Sequence, residues 1–112
     1  MNEPDEWELR YYQTPGWRVP FRDWWNSLKD PRAVSAVRER LDRLRRGLFG
    51  DCEPVGEGVS EMRIHVGAGY RVYYTRTGST LYVLLAGGKK ASQTKDIAKA
   101  KTMARELKRA KR

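Results

Sequence analysis

Apolar and polar residues alternate along several short stretches of the chain, a pattern typical of β-strands with two unlike faces. The clearest stretch is EMRIHVGAGYRVYY, residues 61–74, which predicts two strands, 59–66 and 70–76. An aromatic opening strand is predicted at 6–14 and a short strand at 52–55. The uninterrupted apolar run LYVLLA at 81–86 indicates a central strand that is covered on both faces.

Apolar residues at helical spacing predict three helices, at 21–30, 30–47 and 96–112. Asp30 is placed to cap the second helix, Pro31 suits its first turn, and Gly47 suits the left-handed position after its end. The last few residues of the third helix are expected to fray. The apolar stripes are Phe21, Trp24, Trp25 and Leu28 in the first helix, Val34, Val37, Leu41 and Leu44 in the second, and Ile97, Ala100, Met103, Ala104 and Leu107 in the third.

The order of these elements predicts a single α+β domain over residues 1–112. We expect the N-terminal strand and two helices to pack with a small antiparallel sheet, with the helices on one side of it, followed by the C-terminal helix. The segment GGKKASQTKD, residues 87–96, predicts a flexible loop between the last strand and the last helix.

The register of the predicted hairpin decides which side chains share a face. Both apolar sets point into one core only if opposed residues have matching parity, and a three-residue loop, Gly67–Gly69, satisfies this condition. The predicted pairs are Val66 with Tyr70, His65 with Arg71, Ile64 with Val72, Arg63 with Tyr73, Met62 with Tyr74 and Glu61 with Thr75. The other face carries Glu61, Arg63, His65, Arg71 and Tyr73. It is either a solvated, salt-bridged surface or a row of groups aimed at one ligand.

The chain is strongly basic, with 23 Lys and Arg against 14 Asp and Glu and a formal charge of +9. Such a charge favours polyanions such as RNA, although an acidic protein is an alternative partner. Arg43, Arg45 and Arg46 are candidates for nucleic-acid contact or for complementing the helix dipole. Cys52 is the single cysteine, and neither a signal peptide nor a membrane-spanning run is present, so we expect a cytoplasmic protein without membrane contact.

Four segments in order resemble the RelE/ParE superfamily of toxin–antitoxin toxins, in particular the phage-derived, HigB-like group of addiction module killer proteins. They are FRDWWNSLKDPRA, RLDRLRRGLFGD, GEGVSEMRIHVGAGYRVYY and LLAGGKKASQTKDIAKA. The resemblance implies a RelE-like α+β fold and an endoribonuclease (mRNA interferase) that needs no metal or other cofactor. It also implies mRNA as the target, commonly on the ribosome, and a cognate antitoxin of the helix-turn-helix type.

The resemblance further implies roles for single residues. Arg71, in the G-Y-R strand, matches the arginine that contacts the scissile phosphate, and Arg63 matches the basic residue of the preceding strand. Lys89 and Lys90 match the basic position after the last strand. The terminal catalytic Tyr or His of several ribonucleases has no clear equivalent here, although Asp96 lies near that place. The predicted RNA-binding residues are Lys89, Gln93, Lys95, Arg43, Arg45 and Arg46.

Cleavage of RNA without a metal needs a base, cations that stabilise the phosphorane, and an acid for the leaving oxygen. Arg71, Arg63 and Lys90 are the candidate cations. His65 is the first candidate base, because histidine exchanges protons readily near neutral pH, and Glu61 is the alternative or the group that orients Arg63. Two other functions stay open: a ParE-like toxin that targets gyrase, and a non-catalytic protein that binds RNA or an antitoxin.

Overall fold

Residues 7–78 and 81–110 form a five-stranded sheet with helices on both faces. The computed structural model describes residues 7–78 and 81–110. In chain order the elements are β1 (Glu8–Tyr11), α1 (Pro20–Ser27), α2 (Pro31–Arg45), β2 (Cys52–Gly56), β3 (Val59–Ile64), β4 (Tyr70–Thr77), β5 (Leu81–Lys89), a 3₁₀ turn (Lys90–Ser92) and α3 (Gln93–Ala110). The predicted α+β class and the order of elements are confirmed.

The strand order is β1-β5-β4-β3-β2, so β5 lies inside the sheet, as its apolar run predicts. Neighbours from β5 to β2 pair antiparallel, whereas β1 pairs parallel with β5. The sheet is therefore mixed and not wholly antiparallel.

The two faces of the sheet are covered by different helices. Helices α1 and α2 pack on one face, where Phe21, Val37 and Leu44 meet the buried side chains of β3, β4 and β5. Helix α3 packs on the other face, with Ala100 and Ala104 fully buried. The prediction that the helices lie on one side is wrong, because the apolar stripe of α3 requires a surface that α1 and α2 leave open.

Helix α2 begins and ends as the sequence predicts. The Asp30 side chain accepts a hydrogen bond from the Arg32 backbone N–H at 2.9 Å, and Gly47 has a φ of 81°. Its buried stripe differs from the prediction, because Ala33 is fully buried whereas the predicted Val34 is only half-buried. Arg40 of α2 donates to the backbone carbonyl of Arg63 at 2.5 Å, and so links α2 to the sheet.

The hairpin keeps the predicted parity but has a different register. Arg63 pairs with Arg71, Ile64 with Tyr70 and Glu61 with Tyr73, which is two residues away from the prediction. The connection contains five residues, 65–69, and is closed by the Gly69 N–H, which donates to the Val66 carbonyl at 2.9 Å. His65 therefore lies in the loop and does not face Arg71.

The predicted flexible loop at 87–96 is wrong, because β5 continues to Lys89 and α3 begins at Gln93. The two glycines instead allow close packing. A Cβ on Gly87 would lie 2.2 Å from the Trp24 ring, and a Cβ on Gly88 would lie 1.9 Å from Asp96 Oδ2. Trp24 and Asp96 thus contact the backbone of β5 from its two faces.

Parts of the sequence predictions lie outside the described residues. They are the start of the first strand at residue 6, and Lys111 and Arg112 at the expected frayed end of the third helix. Within residues 7–78 and 81–110, no helix has the length and apolarity that crossing a bilayer requires.

The Trp24 contact predicts that Gly87→Ala destabilises the fold. The added methyl group overlaps a large ring that cannot move without disturbing the core, and such overpacking costs about 1–3 kcal/mol. Urea unfolding measures the change. Gly16→Ala is the matched control, because its nearest neighbouring atom would be 3.8 Å away. Equal stabilities of the two variants would contradict the packing argument.

Candidate functional site

Glu61, Arg71 and Tyr73 of the hairpin lie beneath the first turns of α3 and not on a solvated face. We call Glu61, Arg63, Arg71, Tyr73 and Gln93 the Glu61 cluster. The Glu61 side chain is 1% exposed, Arg71 is 7% exposed and Tyr73 is fully buried. Alternation along the strands predicts the shared face correctly. The burial follows from α3, which covers this face of the sheet.

Glu61 accepts hydrogen bonds from three elements. Its Oε2 accepts from the Tyr73 hydroxyl at 3.2 Å and from Gln93 Nε2 at 2.8 Å, and its Oε1 accepts from Arg63 Nε at 3.2 Å. Burial raises the pKa of Tyr73, as does the neighbouring Glu61 carboxylate, so its hydroxyl stays a neutral donor. A buried carboxylate needs such partners to offset the loss of water. Glu61 therefore holds β3, β4 and α3 together.

Arg71 is the least satisfied member of the Glu61 cluster. Its Nε lies 3.8 Å from Glu61 Oε2, which is within ion-pair range but too long for a hydrogen bond. This Nε is buried and has no hydrogen-bond partner, and no hydrogen bond of the guanidinium is found among the described residues. A buried donor without a hydrogen-bond partner is costly, and a missing ion, water or ligand is a common explanation for one.

Arg63 has its charge compensated within the fold. Its guanidinium pairs with Glu53, with Glu61 at 3.2 Å and with Asp51 at 3.5 Å. The hydrogen bonds to Glu53 and Glu61 raise the pKa of Arg63 above its ordinary value. Three surrounding carboxylates repel a phosphate, so the geometry favours a structural role for this predicted phosphate ligand.

His65 lies apart from the Glu61 cluster. It is 69% exposed, and its Nε2 lies 2.6 Å from Asp51 Oδ2. This hydrogen bond is the main reason why the pKa of the Asp51 carboxyl lies below its usual range. The structure thus brings Arg71 and Glu61 together but places the first candidate base on the neighbouring loop.

The other predicted RNA-binding residues lie in two separate regions. Lys89 and Lys90 are exposed at the end of β5, and the Lys90 backbone N–H donates to the Gly69 carbonyl at 3.1 Å, so this end of β5 is fixed to the hairpin loop. Lys95 is exposed on α3. Arg43, Arg45 and Arg46 belong to the α2 region, on the opposite face of the sheet from the Glu61 cluster.

The arginines of α2 have roles outside the cluster. Arg43 pairs with Glu39 at 3.4 Å, and Arg46 pairs with Asp42 at 3.2 Å, both one helical turn away. Arg45 lines a cleft of about 690 Å³ whose walls include Trp7 and Trp25. Exposed ion pairs of this kind are weak, so the arginines could leave their carboxylate partners and bind phosphates instead. Nucleic-acid contact by this helix stays a prediction.

Sequence reasoning missed one polar contact beside the cluster. The Ser92 hydroxyl donates to Asp96 Oδ2 at 2.6 Å, and this pair lies directly over Gly88. Gly87 and Gly88 could have indicated this contact, because a glycine inside a buried strand often marks a place where another group approaches the backbone closely.

Two comparisons relate the chain to known proteins. A family model described as "Phage derived protein Gp49-like (DUF891)" matches residues 23–112. An uncharacterized protein of Haemophilus influenzae is 45% identical over 89 residues, which cover 80% of this chain and 90% of the relative. The matched region contains α1 from Asp23 onward, α2 and every residue of the Glu61 cluster.

Loss of the Glu61 carboxylate is expected to destabilise the fold strongly. Glu61→Ala leaves two arginines without their shared carboxylate, and removal of one partner from a buried ion pair costs about 3–5 kcal/mol. Urea unfolding measures the free energy. The matched control is Glu39→Ala, which removes an exposed i,i+4 pair worth less than about 0.5 kcal/mol. A loss for Glu61→Ala as small as that of the control would disprove the central role of Glu61.

His65→Ala is expected to raise the pKa of the Asp51 carboxyl toward its ordinary value of 3.8, because the main hydrogen bond that lowers it is lost. A carboxyl whose pKa is lower in the folded state contributes stability above its unfolded pKa and loses it as pH falls through the folded pKa. The substitution should therefore weaken the acid dependence of unfolding below about pH 4. Carbon-detected NMR titration measures the pKa. Asp30, whose pKa is lowered by Arg32, serves as the internal control and should not change.

Proposed function

The chain belongs to the phage-derived Gp49-like family, which is toxin-like and related to the RelE/HigB toxin superfamily, and on this premise we propose that it is the toxin of a type II toxin–antitoxin module. In this proposal the protein is an endoribonuclease that cuts mRNA on the ribosome without a metal. A cognate antitoxin of the helix-turn-helix type neutralises it. The protein acts in the cytoplasm.

The state of Arg71 is the observation that carries the proposal. Its guanidinium is almost buried, has no hydrogen bond among the described residues and lies 3.8 Å from a single carboxylate. A phosphate offers the oxygen acceptors that this guanidinium lacks, and such charge-assisted hydrogen bonds are the strong ones. A rigid cation in a dry site also stabilises the charge that develops on the phosphorane. The remaining exposure of the side chain is where a phosphate oxygen would approach.

Glu61 supports Arg71 in this proposal and does not act as the base. Its carboxylate is 1% exposed and already accepts hydrogen bonds from Arg63, Tyr73 and Gln93, so it has no route to a substrate hydroxyl. Held in this way, Glu61 fixes the position of Arg71 before RNA arrives.

The exposed cations near the end of β5 extend the positive surface. Lys89, Lys90 and Lys95 belong to the consecutive segment formed by β5, the 3₁₀ turn and the start of α3. Their ammonium groups favour the phosphates that flank the cleaved one, because a field of this sign attracts polyanions. His65, on its exposed loop, stays a candidate for proton transfer, and its pairing with Asp51 would orient the imidazole.

The proposal predicts that Arg71→Ala abolishes growth arrest and RNA cleavage. Removal of one preorganised charge that stabilises a transition state lowers the rate by about 10²–10³-fold. RNA 5′-end sequencing after brief induction measures cleavage, and the thermal unfolding of the purified protein shows that the variant is folded. Arg10→Ala is the matched control, because Arg10 is an exposed strand arginine that pairs only with Glu8 among the described residues.

Three outcomes separate the candidate functions. New 5′-ends that vanish in Arg71→Ala support the proposal. A DNA-damage response with unchanged 5′-ends would indicate a gyrase-targeting toxin instead. Neither response, from a folded protein that still binds RNA or an antitoxin, would indicate a non-catalytic binding protein. Undiminished cleavage by a folded Arg71→Ala variant would overturn the role of Arg71.

A further inference from the structure

A second cleft, of about 590 Å³, lies where β5 ends and α3 begins. We propose that this cleft binds the base of the nucleotide next to the phosphate held by Arg71, and that Asp96 makes it selective for guanine. This inference rests on the proposed function because it assigns a substrate to the same region of the molecule.

Arg71 lies one strand away from the cleft. Gly88, which lines the cleft, is the cross-strand partner of Arg71, so the two residues share one face of the sheet. The Asp96 carboxylate and the Arg71 guanidinium both act on the pKa of Tyr73, in opposite directions, so each lies within electrostatic range of the Tyr73 hydroxyl. A nucleotide whose phosphate meets Arg71 therefore has its base within reach of the cleft.

The shape of the cleft suits a flat aromatic ring. Strand β1 pairs with β5 only along Leu81–Leu84, so in the described part of the chain the rest of β5 has no strand on that side. Gly87 and Gly88 line the cleft with backbone alone, with Trp24 and Asp96 packed over them from opposite faces, and the rings of Trp24 and Tyr70 contribute apolar walls on the face that α1 covers. Bases bind well against aromatic surfaces, irrespective of their sequence.

Among the side chains that line the cleft, one carboxylate and two cations stay available within the described part of the chain. The Ser27 hydroxyl donates a hydrogen bond to the Trp24 carbonyl at 2.6 Å, and the Asp30 side chain caps α2. Lys29 and Lys89 also line the cleft, and neither makes an ion pair within residues 7–78 and 81–110. Their ammonium groups are free to meet flanking phosphates.

Asp96 is the carboxylate that remains. Its Oδ2 accepts from the Ser92 hydroxyl at 2.6 Å, while no hydrogen bond to its Oδ1 is found among the described residues. Each carboxylate oxygen has two lone pairs, so Ser92 orients the group without saturating it. Asp96 lies in the first turn of α3, where the helix dipole stabilises a negative charge.

The donor pattern of the bases favours guanine. An ionised carboxylate only accepts, and guanine presents two adjacent donors, N1–H and the N2 amine, that match its two oxygens. Uracil offers one N–H flanked by carbonyl oxygens, and these would face the carboxylate unfavourably. Adenine and cytosine place an acceptor nitrogen beside their amine. A matched bidentate pair discriminates by about tenfold or more against the wrong base.

Isothermal titration calorimetry of the purified chain with 3′-GMP, 3′-IMP, 3′-AMP, 3′-CMP and 3′-UMP tests the inference. We expect 3′-GMP to bind about tenfold more tightly than the others, including 3′-IMP, which lacks the N2 amine. Asp96→Asn should weaken the binding of 3′-GMP by about tenfold and leave the affinity for 3′-AMP unchanged. Ser92→Ala should change 3′-GMP binding by less than about threefold, because the carboxylate itself remains.

The matched control is Asp42→Asn, which alters an exposed carboxylate of α2 that pairs with Arg46 and lies away from this cleft. It should leave all five affinities unchanged. Equal binding of the five nucleotides, no binding of any, or an unchanged preference for 3′-GMP in a folded Asp96→Asn variant would each overturn the guanine site. Comparison of the thermal unfolding of the variants shows that they are folded.

The test separates this inference from the proposed function. If Arg71→Ala abolishes RNA cleavage while Asp96→Asn leaves the base immediately before each mapped 5′-end unchanged, the ribonuclease proposal stands and the guanine site fails. If guanine-selective binding depends on Asp96 but induction produces no new 5′-ends, the cleft binds a guanine nucleotide and the ribonuclease proposal fails.

Discussion

The buried carboxylate of Glu61 is the interaction on which the arrangement of this protein depends. A fully buried charge is tolerated only where several donors replace water, and here the donors come from both strands of the hairpin and from α3. The Oε2 atom of the same carboxylate holds Arg71 at ion-pair distance without forming a hydrogen bond to it. The fold therefore fixes one cation and leaves its Nε donor without a partner, which suits a group that binds an anion.

The position of α3 decides what the polar face of the hairpin can do. Without this helix, Glu61, Arg71 and Tyr73 would lie on a wet surface, where ion pairs contribute little. Under the helix the same residues form a low-dielectric site in which each charge has a large effect. Helix α3 also supplies Gln93 to the cluster and Asp96 to the neighbouring cleft. One element thus completes the hydrophobic core and both polar sites.

Much of the fold could be predicted from local pattern. Strand alternation, the Asp30 cap and the left-handed Gly47 depend on neighbouring residues, and these predictions are confirmed. The hairpin register could not be predicted reliably, because loops of three and five residues preserve the same parity. The burial of Glu61 and Arg71 depends on where a distant helix packs, which no local pattern contains. The resemblance directed attention to Arg71, but only the contacts separate it from the compensated Arg63.

The packing of Trp24 on Gly87 also makes the two positions interdependent in evolution. The ring occupies the volume that any side chain at position 87 would need, so the effect of a substitution at one position depends on the residue at the other. A relative with a smaller residue at position 24 has room for a side chain at 87, and a relative that retains the tryptophan does not. Trp24 and Gly87 both line the second cleft, so we expect relatives in which this cleft has another shape to differ at both positions together.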